Sequence, residues 1–180
     1  MAPATSPSPN RYLIGLGSNR PHHRHGGPRE VLVAALEHLA VLGTLTATGP
    51  LVASAPLGPS RRRYANTVAV LETDLAPPAL LDRLKRIERR FGRRTGGQRW
   101  GSRVLDLDIL LWTGGFYASP TLTVPHPRMH QRTFVLSPAL PVAGDWREPV
   151  TGLSLRQLHA RLTRPRPLPK AAPVVGPVAQ

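Results

Sequence analysis

Asp106 and Asp108 stand two residues apart in RWGSRVLDLDILL, residues 99–111. The second half of this stretch has the period of a strand, with Leu105, Leu107, Ile109 and Leu111 apolar. Both carboxylates therefore project together from the opposite face. Aspartate is a poor strand former. Two on one face need a compensating partner, and a divalent cation is the usual one. Arg99, Trp100 and Arg103 stand just ahead. Cation-binding acids beside guanidinium groups suit a polyphosphate held by metal and arginine together. The plainer alternative is an exposed strand face with two solvated acids.

The charge of the chain is concentrated at the same place. The formal net charge is +14, and 22 of the 24 basic residues are arginine, the better bidentate phosphate ligand. Nine of the positive charges fall within residues 83–103, where Glu88 is the only acid. Such a balance also admits nucleic acid as a partner. Aromatic residues make up only 5%, however, which leaves a thin stacking platform for bases. With 180 residues the chain is long enough for one domain with a substantial core. It has no cysteine, hence no disulfide or thiolate metal site, as suits a reducing compartment. The N-terminus lacks the apolar stretch of a signal peptide, and no uncharged apolar run is long enough to span a bilayer. The expected location is cytoplasmic, with no membrane partner.

The elements that must position these residues follow in order. Residues 1–10 hold three prolines and are expected to be a disordered lead-in, as are residues 163–180 with five prolines. A strand over 11–16 runs into Gly17-Ser18-Asn19, a turn able to present backbone or amide groups to a ligand. His22, His23 and His25 follow, either a metal cluster or, more simply, a mobile surface loop. A helix is expected over 28–42, opened by Pro28 and stopped near Gly43, with Leu32, Ala35, Leu36 and Leu39 inward. Two strands follow over 44–53 and 64–73, and Pro50 should bend the first or confine it to an edge. Between them SAPLGPSRRRY is too long for a tight hairpin and reads as a functional loop with a solvated Arg61-Arg62-Arg63 tip. A second helix over 77–91 buries Leu80, Leu81, Leu84, Ile87 and Phe91 and stops at Gly92. Glu88 lies beside its buried seam, as an ion-pair partner of Lys85 or Arg89 or as a ligand contact at the sheet edge. Residues 92–102, GRRTGGQRWGS, form a Gly- and Arg-rich loop of the kind that closes over phosphates.

Strand, helix, strand, strand, helix, strand is the ferredoxin-like βαββαβ arrangement, an α+β fold whose antiparallel sheet carries both helices on one face. A turn-rich connection over 113–119, a short strand over 121–124 and a helix over 153–162 then extend it. The domain spans residues 11–162.

These residues resemble the 6-hydroxymethyl-7,8-dihydropterin pyrophosphokinase family of folate biosynthesis, over about residues 12–162. Arg99-Trp100-Gly101-Ser102-Arg103 followed by Leu105-Asp106-Leu107-Asp108-Ile109 carries most of the likeness. Gly17-Ser18-Asn19, Pro56-Leu57-Gly58, Tyr64-Ala65-Asn66 and Val124-Pro125-His126 appear in the family's order and spacing. The resemblance implies transfer of the β,γ-pyrophosphoryl unit of ATP to a pterin hydroxymethyl group, with release of AMP. It implies that Asp106 and Asp108 hold two magnesium ions across the triphosphate. Arg93, Arg99, Arg103, His126 and Arg132 would contact phosphates, with Arg93 and Arg103 acting in catalysis. Glu88, Ile109 and Thr123 match positions near ribose and adenine. The pterin would stack between Tyr64 and Phe134, with Asn66 on its polar edge, Trp100 closing over it and Ser54, Ala55 and Leu57 lining the wall.

Two departures stand out. Where the family often has a second arginine this chain has Thr95, with Arg94 next door as the candidate replacement in the nucleotide site. Where the family often has Thr-x-Pro the chain has Ser54-Ala55-Pro56. The competing reading is a ferredoxin-like RNA-binding module. Such modules put aromatics on the sheet face, whereas here Asp106 and Asp108 would repel a phosphodiester backbone unless metal-bound. The expected partners are therefore small molecules and not nucleic acid, and the expected state is a monomer.

Overall fold

The computed structural model describes residues 9–55, 63–92 and 103–165. Five antiparallel strands form the sheet. β1 (Asn10–Ser18) runs through its centre, between β4 (Tyr64–Thr73) and β5 (Asp106–Trp112). β2 (Thr44–Thr48) and β3 (Val52–Ser54) both pair with β4 on its other side. Order and direction are those of the ferredoxin-like arrangement expected from the sequence. The expected strand over 44–53 is broken at Gly49-Pro50. A Cβ on Gly49 would come within 2.3 Å of the Pro138 carbonyl oxygen, so the chain bends there against a neighbouring segment. β1 is longer than expected and begins inside the expected lead-in.

α1 (Pro28–Ala40) and α2 (Pro77–Arg90) both open with proline in the first turn, where its missing N–H costs nothing. They lie on one face of the sheet. Val31, Leu32, Ala35 and Leu39 of α1 and Leu80, Leu84 and Ile87 of α2 pack there on Tyr12, Ile14, Leu16, Ala69, Leu71, Leu107 and Ile109. The two helices end one or two residues earlier than expected, and Gly92 at φ 84° turns the chain out of α2. Of the three histidines expected in a surface loop, His23 is exposed, while His22 is buried and His25 half-buried. The His22 ring lies 4.4 Å from that of His23 and 4.7 Å from that of His25, and His25 stacks 5.0 Å from Phe91. Among the described residues no group of three or more His, Cys, Asp or Glu is arranged to hold a metal ion.

The opposite face is covered by the C-terminal part of the chain. After a small hairpin of β6 (Tyr117–Ala118) and β7 (Thr123–Val124), a single 3-10 turn at Met129–Gln131 leads into α3 (Thr133–Ala143), followed by α4 (Leu155–Thr163). α3 was not expected, because Pro138 and Pro141 lie inside it. Met129, Leu136, Ala139 and Leu155 pack there on Leu13, Val68, Val70, Leu110 and Leu111. Leu111 was expected on the same face as Leu107 and Ile109. A bulge at Leu110, where Leu13 pairs with Leu111 but Ile14 pairs with Ile109, turns it to the α3 side. No helix among the described residues is long and apolar enough to cross a membrane.

Candidate active site

Strand parity builds the site. On the α3 side of the sheet, β4 presents Tyr64 and Asn66, β5 presents Asp106 and Asp108, and β1 presents Gly15 and Gly17 to one cavity of about 380 Å³. The register sets Gly15 opposite Asp108 and Gly17 opposite Asp106, so each carboxylate faces bare backbone across the sheet. Residues 126–135, leading into α3, supply the rest of the wall with His126, Arg128, Arg132 and Phe134. Nine of the expected site residues meet there: Ser54, Tyr64, Asn66, Arg103, Asp106, Asp108, His126, Arg132 and Phe134.

The charged groups are interlocked. Arg103 Nη1 donates to Asp106 Oδ1 at 2.5 Å. Burial works against the Arg103 charge, but Asp106 outweighs it and holds the guanidinium above its ordinary pKa. Burial and then the neighbouring Asp106 push the Asp108 carboxyl upward, against the pull of His126. Two acids crowded in a desolvated place would be relieved by a cation, and their hard oxygen atoms suit magnesium. His126 Nε2 lies 3.9 Å from Asp108 Oδ2, while its Nδ1 accepts the Arg128 N–H at 3.1 Å. The neutral ring thus carries its proton on Nε2, facing Asp108. Burial, outweighing the attraction of Asp108, lowers the His126 pKa.

The uncharged part of the cavity is built from β3, β4 and α3. Asn66 is 5% exposed, and its Nδ2 donates to Ser54 Oγ at 2.9 Å. Its Oδ1 lies over Gly17, in ordinary contact with the place a Cβ would take. Arg132 sits 5.8 Å from the Phe134 ring centre as a cation–π partner. Burial, then the charge of Asp106, raises the Tyr64 hydroxyl.

Four expected residues are not brought to the cavity. Ile109 is 2% exposed among the α1 and α2 side chains, so only its backbone is open to a ligand. Glu88 is fully buried, where its Oε1 accepts Leu107 N–H at 2.8 Å and Lys85 Nζ at 3.0 Å. The ion pair with Lys85 foreseen for it is present. Thr123 pairs with Ala118 in the hairpin, and Ala55 is exposed just beyond β3. Leu57, Arg93, Arg94, Arg99 and Trp100 lie outside the described residues, as do Thr95, the phosphate-closing loop and the Arg61-Arg62 tip. Gly15, Gly17 and Arg128 were missed as wall residues. The glycines were recoverable from their spacing of two on a central strand. Asn19 has a part the turn motif only hinted at: its Oδ1 accepts Arg103 N–H at 2.8 Å, and its own N–H donates to the Arg103 carbonyl at 3.2 Å. Arg103 is thereby fixed at the head of β5 from 84 residues away.

Comparison with known proteins agrees with this geometry. The family described as 7,8-dihydro-6-hydroxymethylpterin-pyrophosphokinase (HPPK) matches residues 13–144. The 2-amino-4-hydroxy-6-hydroxymethyldihydropteridine pyrophosphokinase of Haemophilus influenzae is 44% identical over 135 residues, covering 73% of this chain and 81% of its own. That of Pseudomonas aeruginosa is 45% identical over 142 residues, covering 77% and 84%. Among solved structures, a Plasmodium falciparum HPPK-DHPS in complex with SDX-DHP superposes with a TM-score of 0.68 at 14% identity. The match covers 88% of this chain but 46% of that longer one, and at this identity it speaks for the fold alone.

Proposed function

The chain belongs to the 7,8-dihydro-6-hydroxymethylpterin-pyrophosphokinase family, and from that premise we propose how its cavity works. The enzyme transfers pyrophosphate from ATP to 6-hydroxymethyl-7,8-dihydropterin, giving the pterin diphosphate and AMP, a step of folate biosynthesis. The observation that carries the assignment of roles is the convergence of Asp106, Asp108, Arg103 and Arg132 with Tyr64, Asn66 and Phe134 on one cavity.

Asp106 and Asp108 hold two magnesium ions, since this metal needs only one or two carboxylates alongside substrate phosphates and water. When bound, the ions offset negative charge on the triphosphate and help align it for in-line transfer. Arg103, steered by its bond to Asp106 and by the Asn19 clamp, meets charge that builds on the transferring oxygens. His126 offers its Nε2 proton and Arg132 its guanidinium to phosphate oxygens. Tyr64 and Phe134 sandwich the pterin, and the Asn66 amide, held by Ser54, reads its polar edge. Glu88, Ile109 and Thr123, which match family positions near ribose and adenine, are assigned to the nucleoside on family resemblance alone. Arg93, Arg94, Arg99 and Trp100, and Ala55 and Leu57 of the pterin wall, enter on family resemblance alone. A cavity of about 380 Å³ suits small-molecule substrates better than nucleic acid, and a monomer acting in the cytoplasm completes the proposal.

The test is AMP release from magnesium-ATP with and without the hydroxymethyl-dihydropterin. AMP should form only when the pterin is present and stop when a chelator removes the metal. Undiminished AMP formation under chelation would remove the carboxylates from their assigned role.

A further inference from the structure

Glu148 stands in the turn between α3 and α4, beyond the residues matched by the family, and is fully buried. The turn folds around its carboxylate. Oε1 accepts Val150 N–H at 2.8 Å, and Oε2 accepts Thr151 N–H at 2.8 Å and Thr151 Oγ1 at 2.6 Å. These bonds, outweighing burial, lower its pKa, so the group is charged at neutral pH. From outside the turn it faces His130, whose Nε2 lies 3.6 Å from Oε2 and is buried without a hydrogen-bond partner among the described residues. A buried ring nitrogen beside a carboxylate is stabilised when its hydrogen points toward that charge.

His130 occupies the middle of residues 126–132, whose two ends, His126 and Arg132, line the cavity. The run is tightly linked along its own backbone: Met129 N–H bonds the His126 carbonyl, and Arg132 N–H bonds that of Met129. Two of its side chains turn away from the cavity. Met129 is fully buried in the α3 core, and His130 points at Glu148. A shift of the backbone at His130 would therefore carry His126 and Arg132 with it.

We propose that Glu148 is a positioning residue for the 126–132 run, acting through His130 to aim His126 and Arg132 at the nucleotide phosphates. The inference rests on the phosphate roles given to those two residues above. It makes the C-terminal turn a part of the nucleotide site that it never touches.

Calorimetry on the full chain, with magnesium and α,β-methylene-ATP in one cell and the pterin in another, tests it. Glu148→Gln keeps the size and an acceptor for the turn but removes the charge facing His130. Nucleotide-analogue affinity should fall roughly 3- to 10-fold, in the lower part of the range for coupled neighbours, with pterin affinity unchanged. In a His130→Ala background the same substitution should add nothing. Equal losses for both ligands, no loss at all, or the same loss with and without His130 would each overturn the proposal. Should Glu148→Gln fail to fold, His130→Ala alone decides, by a nucleotide-selective loss or none. His126→Ala serves as the reference. If it leaves analogue binding intact, the phosphate reading fails and takes this inference with it. If it weakens binding while Glu148→Gln does not, only the inference fails.

Discussion

The two faces of the sheet use the same three strands differently. Toward α1 and α2, Tyr12, Ile14 and Leu16 of β1, Ala69 and Leu71 of β4, and Leu107 and Ile109 of β5 form an apolar floor. Toward α3, each strand changes character halfway. β1 goes from Leu13 to Gly15 and Gly17, β4 from Val68 and Val70 to Asn66 and Tyr64, and β5 from Leu110 to Asp108 and Asp106. One half of that face is core and the other half is cavity. The apolar floor on the far side makes the polar half tolerable, because strands held by one well-packed face can carry glycines and paired acids on the other. Function is located where the period-two pattern fails on one side only.

Substitutions can break this division of labour. The largest effect should come from Asp106→Asn and Asp108→Asn, each losing nearly all turnover while circular dichroism stays native-like, because shape is kept and charge is not. Unfolding of either variant would make the acids structural. On the other face, Leu84→Ala should cost about 2–5 kcal/mol in denaturant unfolding, the range for a fully buried leucine. Its KM for both substrates should stay put as long as it is folded. Tyr64→Ala and Phe134→Ala should weaken pterin binding by roughly 1–3 kcal/mol each through lost stacking. An equal loss of nucleotide affinity in these variants would erase the distinction between the two parts of the cavity.

The smallest effect is a pH-dependent one. Burial and Asp106 hold the Asp108 carboxyl above its unfolded value. The folded state therefore keeps a proton that the unfolded chain releases, and stability falls as pH rises through the interval between the two values. In metal-free protein, Asp108→Asn should melt higher than the parent at neutral pH. The two curves should converge below about pH 3.9, the ordinary aspartate value. A parent protein that melts higher at neutral pH would reverse the sign and with it the claim of crowding.

Much of this was legible in the chain because local period and tertiary burial agree. The β4 strand, both proline-opened helices and the shared face of Asp106 and Asp108 follow from spacing alone. The failures have particular causes. α3 contains Pro138 and Pro141, which read as helix breakers, yet it packs Leu136 and Ala139 on the sheet and sets Pro138 against Gly49. Leu111 changed sides because a single-residue bulge reverses parity, and nothing in the alternation announces one. The Asn19 clamp on Arg103 joins segments far apart in sequence, so neither residue reveals it locally. Glu88 reads as lying beside the buried seam with Lys85 as an ion-pair partner, but not as fully buried; the Leu107 N–H at 2.8 Å, far off in sequence, makes that burial tolerable.

That last contact also bears on how the protein behaves in a crowd of its own copies. β5 is an outer strand, and an outer strand with free N–H and C=O groups is a template on which another chain can add. Here the Leu107 N–H is occupied by Glu88 and the Leu110 carbonyl by the His126 N–H. An incoming strand would have to displace a buried carboxylate and a wall of the cavity at once. The two contacts that occupy this edge thus oppose the addition of another strand.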